Sequence, residues 1–166
     1  MSTKLDQPEF EAQIAGKQGS ATGSGYPDLV EAMRAYQMAV DIFDEAVADK
    51  LGLNRTDFRC IDILDQHQPM TAGSLAHASR LSTGTITFVI DRLEAAGFVR
   101  RLRDEDDRRR VLVEMVPAAQ LKVHASHLPM IEDARTALAE FAADELAVVC
   151  KFLRISTVVF QRNVPT

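Results

Sequence analysis

The sequence predicts a mainly α-helical fold interrupted once by a short β-hairpin. Three observations carry this reading. Apolar residues recur at three- and four-residue spacing across residues 29–47, 58–64, 86–93 and 146–159, the period of one buried helix face. That period gives way at 98–103 and 110–116 to two short runs of strand-forming residues, joined by a charged stretch. Residue types that start or stop helices sit at the boundaries: Asn54, Thr71, Ser82 or Thr83 and Pro117 as starts, Gly52 and Gly97 as stops.

Taken in order, residues 1–25 are polar and rich in Gly, Ser, Thr and Gln, and are expected to form a disordered N-terminal tail. Tyr26-Pro27-Asp28 opens a first helix whose stripe is Leu29, Met33, Tyr36, Val40, Phe43 and Val47, stopped by Gly52. Asn54 caps a second helix with Asp57 in its first turn and Phe58, Ile61 and Leu64 facing inward; Pro69 ends it. Thr71 caps a short third helix carrying Leu75 and Ala76. After a tight connection at 79–81, a fourth helix buries Ile86, Val89, Ile90 and Leu93. The hairpin follows. Pro117 then begins a fifth helix reaching the Ala139 region, with a kink or break expected at Pro129. A last helix over 143–160 gathers Leu146, Val149, Cys150, Leu153, Val158 and Val159 near one face.

Composition narrows the function. With 166 residues and 46% hydrophobic content there is material for one core with appended helices. Lys4, Asp6 and Glu9 stand where a signal peptide needs an apolar stretch, and no apolar run is long enough to cross a bilayer. A soluble, cytoplasmic protein with no membrane partner is expected. Cys60 and Cys150 lie far apart within apolar helical patterns and read as small buried residues, not as a disulfide or a metal pair. His124 and His127 have helical i, i+3 spacing without a third ligand, so no metal and no cofactor is expected. Catalysis has nothing to stand on: there is no phosphate-cradling glycine loop and no nucleophile elbow.

The formal net charge of −5 argues at first against nucleic acid. The distribution argues otherwise. From Arg80 to Arg110 eight arginines (Arg80, Arg92, Arg100, Arg101, Arg103, Arg108, Arg109, Arg110) stand against six acids, four of them in one run at 104–107. Residues 71–116 thus read as two short helices joined by a tight turn and followed by a basic hairpin: a winged helix-turn-helix. A helix fits the major groove with its N-terminal residues at the base edges, and an arginine on the hairpin can enter the neighbouring minor groove.

The stretch LAHASRLSTGTITFVIDRLEAAGFVRR followed by RDEDDRRRVLV closely resembles the MarR family of multiple-antibiotic-resistance-type regulators. The shared pattern is a recognition helix ending in D-R-L-E-x-x-G, then a wing carrying D-x-x-D-R-R, with the strongest match over about 54–118. The resemblance implies N- and C-terminal dimerisation helices (26–53 and 117–166) around a DNA-binding domain at 54–116. It also implies a homodimer on a pseudo-palindromic site, often controlled by a small molecule or an oxidant.

On that resemblance Ser82, Thr83, Gly84, Thr85 and Thr87 open the recognition helix, where hydroxyls can meet phosphates or bases, although Ser82 and Thr83 can equally be mere caps. In the wing, Asp107 orients the hairpin and Arg109 reaches the minor groove. Arg108 and Arg110 alternate to the other side, where one can pair with the acidic run. Arg92 is placed either on phosphate or on Asp106 or another wing carboxylate. Two positions depart from the family pattern. Phe88 stands where a polar reader is common, and can meet thymine methyls or lean into the protein. Arg80 stands where glycine is usual, so the turn is expected to differ, with Arg80 a phosphate contact.

The function expected is a sequence-specific regulator of transcription that binds double-stranded DNA, a repressor responsive to a small-molecule effector. The alternative is a winged-helix module for protein–protein contact with weak or no DNA binding.

Overall fold

The computed structural model describes residues 25–104, 107 and 110–164; the expected tail lies almost wholly outside them. The elements run α1 (Tyr26–Leu51), α2 (Arg55–His67), β1 (Met70–Thr71), α3 (Ala72–Ser79), α4 (Thr83–Ala95), β2 (Val99–Arg103), β3 (Val111–Met115), α5 (Pro117–Leu138) and α6 (Ala143–Arg162). The chain divides between Phe58 and Arg59 into two compact units.

The first unit is α1 and the beginning of α2. Pro27 sits in the first turn of α1, where its missing N–H costs nothing. Gly52 ends the helix at φ 71°, a conformation that favours glycine, while Leu53 N–H donates back to Ala48 O at 2.9 Å. Val47 and Ala48 are buried, whereas Tyr26, Tyr36, Met38 and Ile42 are largely exposed. Asn54 caps α2 as its sequence position requires: its Oδ1 accepts from Asp57 N–H at 3.0 Å and its Nδ2 donates to Asp57 Oδ2 at 2.9 Å.

The second unit holds the core. Ile61, Leu64, Leu75, Ile86, Ile90, Leu93, Val99 and Val113 are almost fully buried there. These are the inward positions expected of α2, α3 and α4, joined by alternate residues of the hairpin strands. The sheet has three antiparallel strands in the order β1-β3-β2, one more than the sequence announced. Val99 faces Met115 and Arg103 faces Val111 across the hairpin, while Met70 and Thr71 pair with Val113 and Leu112. A two-residue strand has no period to read, so β1 leaves no mark in the sequence pattern. Gln68 reinforces this edge, its Oε1 accepting from Met115 N–H at 2.6 Å.

Of the kink or break expected in the fifth helix at Pro129, the break does not occur. The helix runs from Pro117 to Leu138 through Pro129. Residues 128–130 and Ala125 are exposed, so water can serve the carbonyl that Pro129 leaves without a donor. Cysteine burial is a second correction. Cys60 is fully buried, but Cys150 is exposed on α6, a helix that buries none of its residues in the single chain. Val149, Leu153, Ile155, Val158, Val159 and Phe160 are exposed with it. Among the described residues no helix is long and apolar enough to cross a membrane.

Candidate nucleic-acid interface

The helix-turn-helix is built by side chains that close their own helix ends. Thr71 Oγ1 accepts from Ser74 N–H at 3.0 Å and starts α3. Ser79, buried, turns its hydroxyl back onto Leu75 O at 2.7 Å. Arg80 then takes the left-handed conformation, φ 58° and ψ 36°. The turn therefore keeps the geometry that glycine would give, against the expectation that arginine would change it. The strain, on the order of 1 kcal/mol, is offset by the helix-end hydrogen bonds Arg80 N–H to His77 O and Leu81 N–H to Ala76 O, at 3.2 and 3.0 Å. Arg80 itself is exposed.

Ser82 begins α4 by accepting from Thr85 N–H at 3.1 Å, and the two hydroxyls lie 2.8 Å apart. Thr87 donates its hydroxyl to Thr83 O at 2.9 Å. Thr83, Gly84, Thr85, Thr87, Phe88 and Arg92 are all exposed, opposite the buried Ile86, Val89, Ile90 and Leu93. Phe88 is 73% exposed and thus does not lean into the protein. A Cβ added at Gly84 would meet nothing nearer than Ser82 Oγ at 3.9 Å, so the fold itself has no need of glycine there. Arg92 is engaged within the protein as well as exposed.

The wing is tied to α4 by a group that the sequence reading passed over. Arg101 on β2 donates to Asp91 Oδ1 at 2.5 Å and pairs with Glu94, whose Oε1 also accepts from Arg101 N–H at 3.2 Å. Desolvation opposes the charge on Arg101, but the hydrogen bond to Asp91 and the Glu94 carboxylate outweigh it and raise its pKa. The D-R-L-E stretch thereby gains a physical meaning: Asp91 and Glu94 are one helical turn apart and grip one arginine, while Leu93 fills the core. The signal was present in the i, i+3 carboxylates, but the partner strand could not be inferred from spacing.

Farther along the hairpin, Arg100 pairs with Glu114 directly across the strands, Nε to Oε1 2.7 Å. Near the tip Asp104 N–H donates to Arg110 O, Arg110 N–H to Asp107 O at 2.8 Å, and Asp107 N–H to Asp104 Oδ1. Asp107 helps to hold the turn through its backbone. Arg110 lies 3.7 Å from Asp104, the arginine-to-acidic-run pairing anticipated for this strand. Arg108, Arg109 and Asp106 lie outside the described residues.

A model of the MarR family matches residues 53–111. An uncharacterised helix-turn-helix-type transcriptional regulator of Bacillus subtilis, YcgE, is 41% identical over 114 residues, covering 68% of this chain and 73% of the relative. The chain belongs to the MarR family. It is accordingly a winged-helix, DNA-binding regulator of transcription. The transcriptional repressor NicR of Pseudomonas putida is 32% identical over 82 residues, 49% of this chain and 51% of that protein. In three dimensions, a MarR family protein from Bacillus stearothermophilus superposes with a TM-score of 0.65 at 20% identity, over 81% of this chain and 94% of that one.

Among the described residues outside the helix-turn-helix, this MarR-family chain has a polar cluster between α2 and α5. Asp65 Oδ1 accepts from Gln120 Nε2 at 2.8 Å, and His124 Nε2 lies 2.9 Å from Asp65 Oδ2. Burial pushes the Asp65 carboxyl up, but these hydrogen bonds and the charge of His124 and His127 prevail and hold it below its ordinary value. His127 turns its Nδ1 to Val123 O at 2.9 Å. Among the described residues no group of three His, Cys, Asp or Glu side chains is placed to hold a metal.

Proposed function

We propose that this MarR-family protein represses transcription as a homodimer seated on a pseudo-palindromic duplex, and that a small-molecule effector releases it. The carrying observation is the outward face of α4, which is exposed over its first two turns and fixed to the wing by Arg101. Thr83, Gly84, Thr85, Thr87 and Phe88 enter the major groove, with Ser82 presenting the helix end to phosphate. Arg80 and Arg92 flank that face and take phosphates, Asp107 belongs to the wing, and the family pattern assigns Arg108 and Arg109 to DNA contact. Each group alone is ordinary; the shared exposure of Thr83, Gly84, Thr85, Thr87, Phe88 and Arg92 on α4, opposite its buried residues, supports the reading.

The dimer reading rests on uncovered apolar surface. Tyr36, Met38 and Ile42 on α1, and Ile155, Val158 and Phe160 on α6, are exposed in the single chain at the two segments assigned to dimerisation, 26–53 and 117–166. Helices so rich in exposed apolar side chains mark an interaction surface. An effector that binds the released form more tightly than the DNA-bound form lowers operator affinity by the same factor. The protein acts in the cytoplasm, where chromosomal DNA is available, with no membrane partner.

Fluorescence anisotropy of the full chain against a pool of promoter duplexes, repeated across salt concentrations, tests the reading. Selective binding whose log–log salt slope is about −0.9 per neutralised phosphate supports it. No binding to any duplex at low salt would return the winged helix to the protein-contact alternative.

A further inference from the structure

The chemistry presented by α4 says which bases it can read. Between Ser82 and Val89 the exposed positions are Thr83, Gly84, Thr85, Thr87 and Phe88, with no arginine, lysine, asparagine or glutamine among them. The bidentate donors that recognise guanine, and the amides that recognise adenine, are therefore absent from the part of the helix that enters deepest. Most of the hydroxyls are also occupied. Ser82 and Thr85 lie 2.8 Å from each other while Ser82 caps the helix, and Thr87 donates to Thr83 O at 2.9 Å. Hydroxyls bonded within their own helix have less to offer a base edge.

What remains outward is apolar. Phe88 is 73% exposed, is the largest side chain on this face, and has no place in the core. Gly84 lies one turn before it on the same side and leaves open space that the fold does not require. The one apolar group in the major groove of B-DNA is the C5-methyl of thymine. We propose that Phe88 is the specificity-determining residue of this protein and that it reads thymine methyl groups, one set in each half-site, with Gly84 allowing the helix close enough for that contact. The inference rests on the DNA-binding reading above, and deepens it by naming the feature of the operator that is recognised.

The test replaces thymine by uracil, which removes the methyl and leaves every hydrogen-bonding group of the pair intact. Duplexes are first selected from a random pool with the full-length protein. Selected duplexes are then remade with deoxyuridine at each symmetric pair of thymine positions, and binding is measured for the wild type, Phe88→Ala and Phe88→Leu. Burial of one methyl-sized group is worth about 0.8 kcal/mol, or about fourfold in affinity, hence about fifteenfold for a symmetric pair. At one pair of positions the wild type should lose about that factor, Phe88→Ala should bind uracil and thymine duplexes alike, and Phe88→Leu should fall between.

The proposal is overturned if the wild type tolerates uracil within twofold at every position, or if Phe88→Ala keeps the full sensitivity. Should Phe88→Ala bind too weakly to measure, the comparison passes to Phe88→Leu, which must then show reduced discrimination. Failure to enrich any duplex is a different result. It removes DNA binding itself, and this inference with it, whereas a selected duplex insensitive to uracil removes only the role of Phe88.

Discussion

Arg101 on the first wing strand and Asp91 near the end of the recognition helix are joined guanidinium to carboxylate at 2.5 Å, with Glu94 gripping the same arginine. The first wing strand is thus tied to the reading helix by side chains as well as by the chain between them. On the proposed reading, in which α4 and the wing enter adjacent grooves, this tie helps to set their separation.

The first prediction concerns that clamp. Arg101 is about one-third exposed and its partners more so, which limits the pair to about 1 kcal/mol of stability. Arg101→Met should therefore unfold only slightly more easily, by about 1 kcal/mol in urea. Its affinity for a selected duplex should fall by more than that, about tenfold or greater, since the wing is no longer aimed. Asp91→Asn should weaken binding in the same direction, and the double variant should be no worse than Arg101→Met alone. Additive losses would mean that the two residues act separately.

Asp65 predicts a pH dependence. Its carboxyl is held below the ordinary value of 3.8, because the hydrogen bonds from Gln120 and His124 and the nearby imidazole charge outweigh burial. A depressed native pKa means that the unfolded chain binds the proton more readily. The stabilisation is then complete above about 3.8 and is lost as pH falls through the lower native value. Asp65→Asn should cost about 1–2 kcal/mol near neutral pH. The difference from wild type should shrink toward zero in the acid range below 3.8, as followed by chemical denaturation. A gap that stayed constant down to acid pH would place the stabilisation elsewhere.

Much of this architecture was legible because it is local. Asn54, Thr71, Ser82, Gly52 and Gly97 each set a helix boundary through bonds within a few residues of themselves, and the spacing of Ile86, Val89, Ile90 and Leu93 states which side of α4 is buried. The parts that were not legible depend on distant partners. Arg101 looks like any wing arginine until β2 is laid beside α4, and Asp65 finds His124 across 59 residues of chain. Arg80 differs for another reason: sequence states the cost of a left-handed arginine but not the two helix-end hydrogen bonds that hold it there. Cys150 follows the apolar pattern of α6 correctly, but the pattern does not say whether the same chain covers that face.

Arg80 offers a way to separate charge from backbone. Arg80→Gly removes the side chain while easing a φ of 58°, so relief of strain and the added freedom of the unfolded chain oppose each other. Thermal stability should change by no more than about 0.5 kcal/mol. If Arg80 contacts phosphate in both subunits, the log–log salt slope of DNA binding should become shallower by about 1.8, which is two phosphates at about 0.9 each. A glycine variant with an unchanged slope and unchanged affinity would leave Arg80 as a turn residue only.

The last prediction addresses the uncovered face of α6. Leu153 and Val149 lie one turn apart on that helix, both exposed in the single chain, and neither contributes to the core formed by α2, α3 and α4. If a second copy covers this face, charge placed there must be desolvated on association, whereas in a monomer it would stay in water. Val149→Asp combined with Leu153→Asp should thus leave the winged helix folded, with most helical circular dichroism retained, but shift sedimentation from dimer to monomer. DNA affinity should fall with it, because a monomer engages only one half-site and forfeits the gain of linking two. A double variant that still sediments as a dimer and binds DNA as the wild type does would show that α6 is not the surface that joins the subunits.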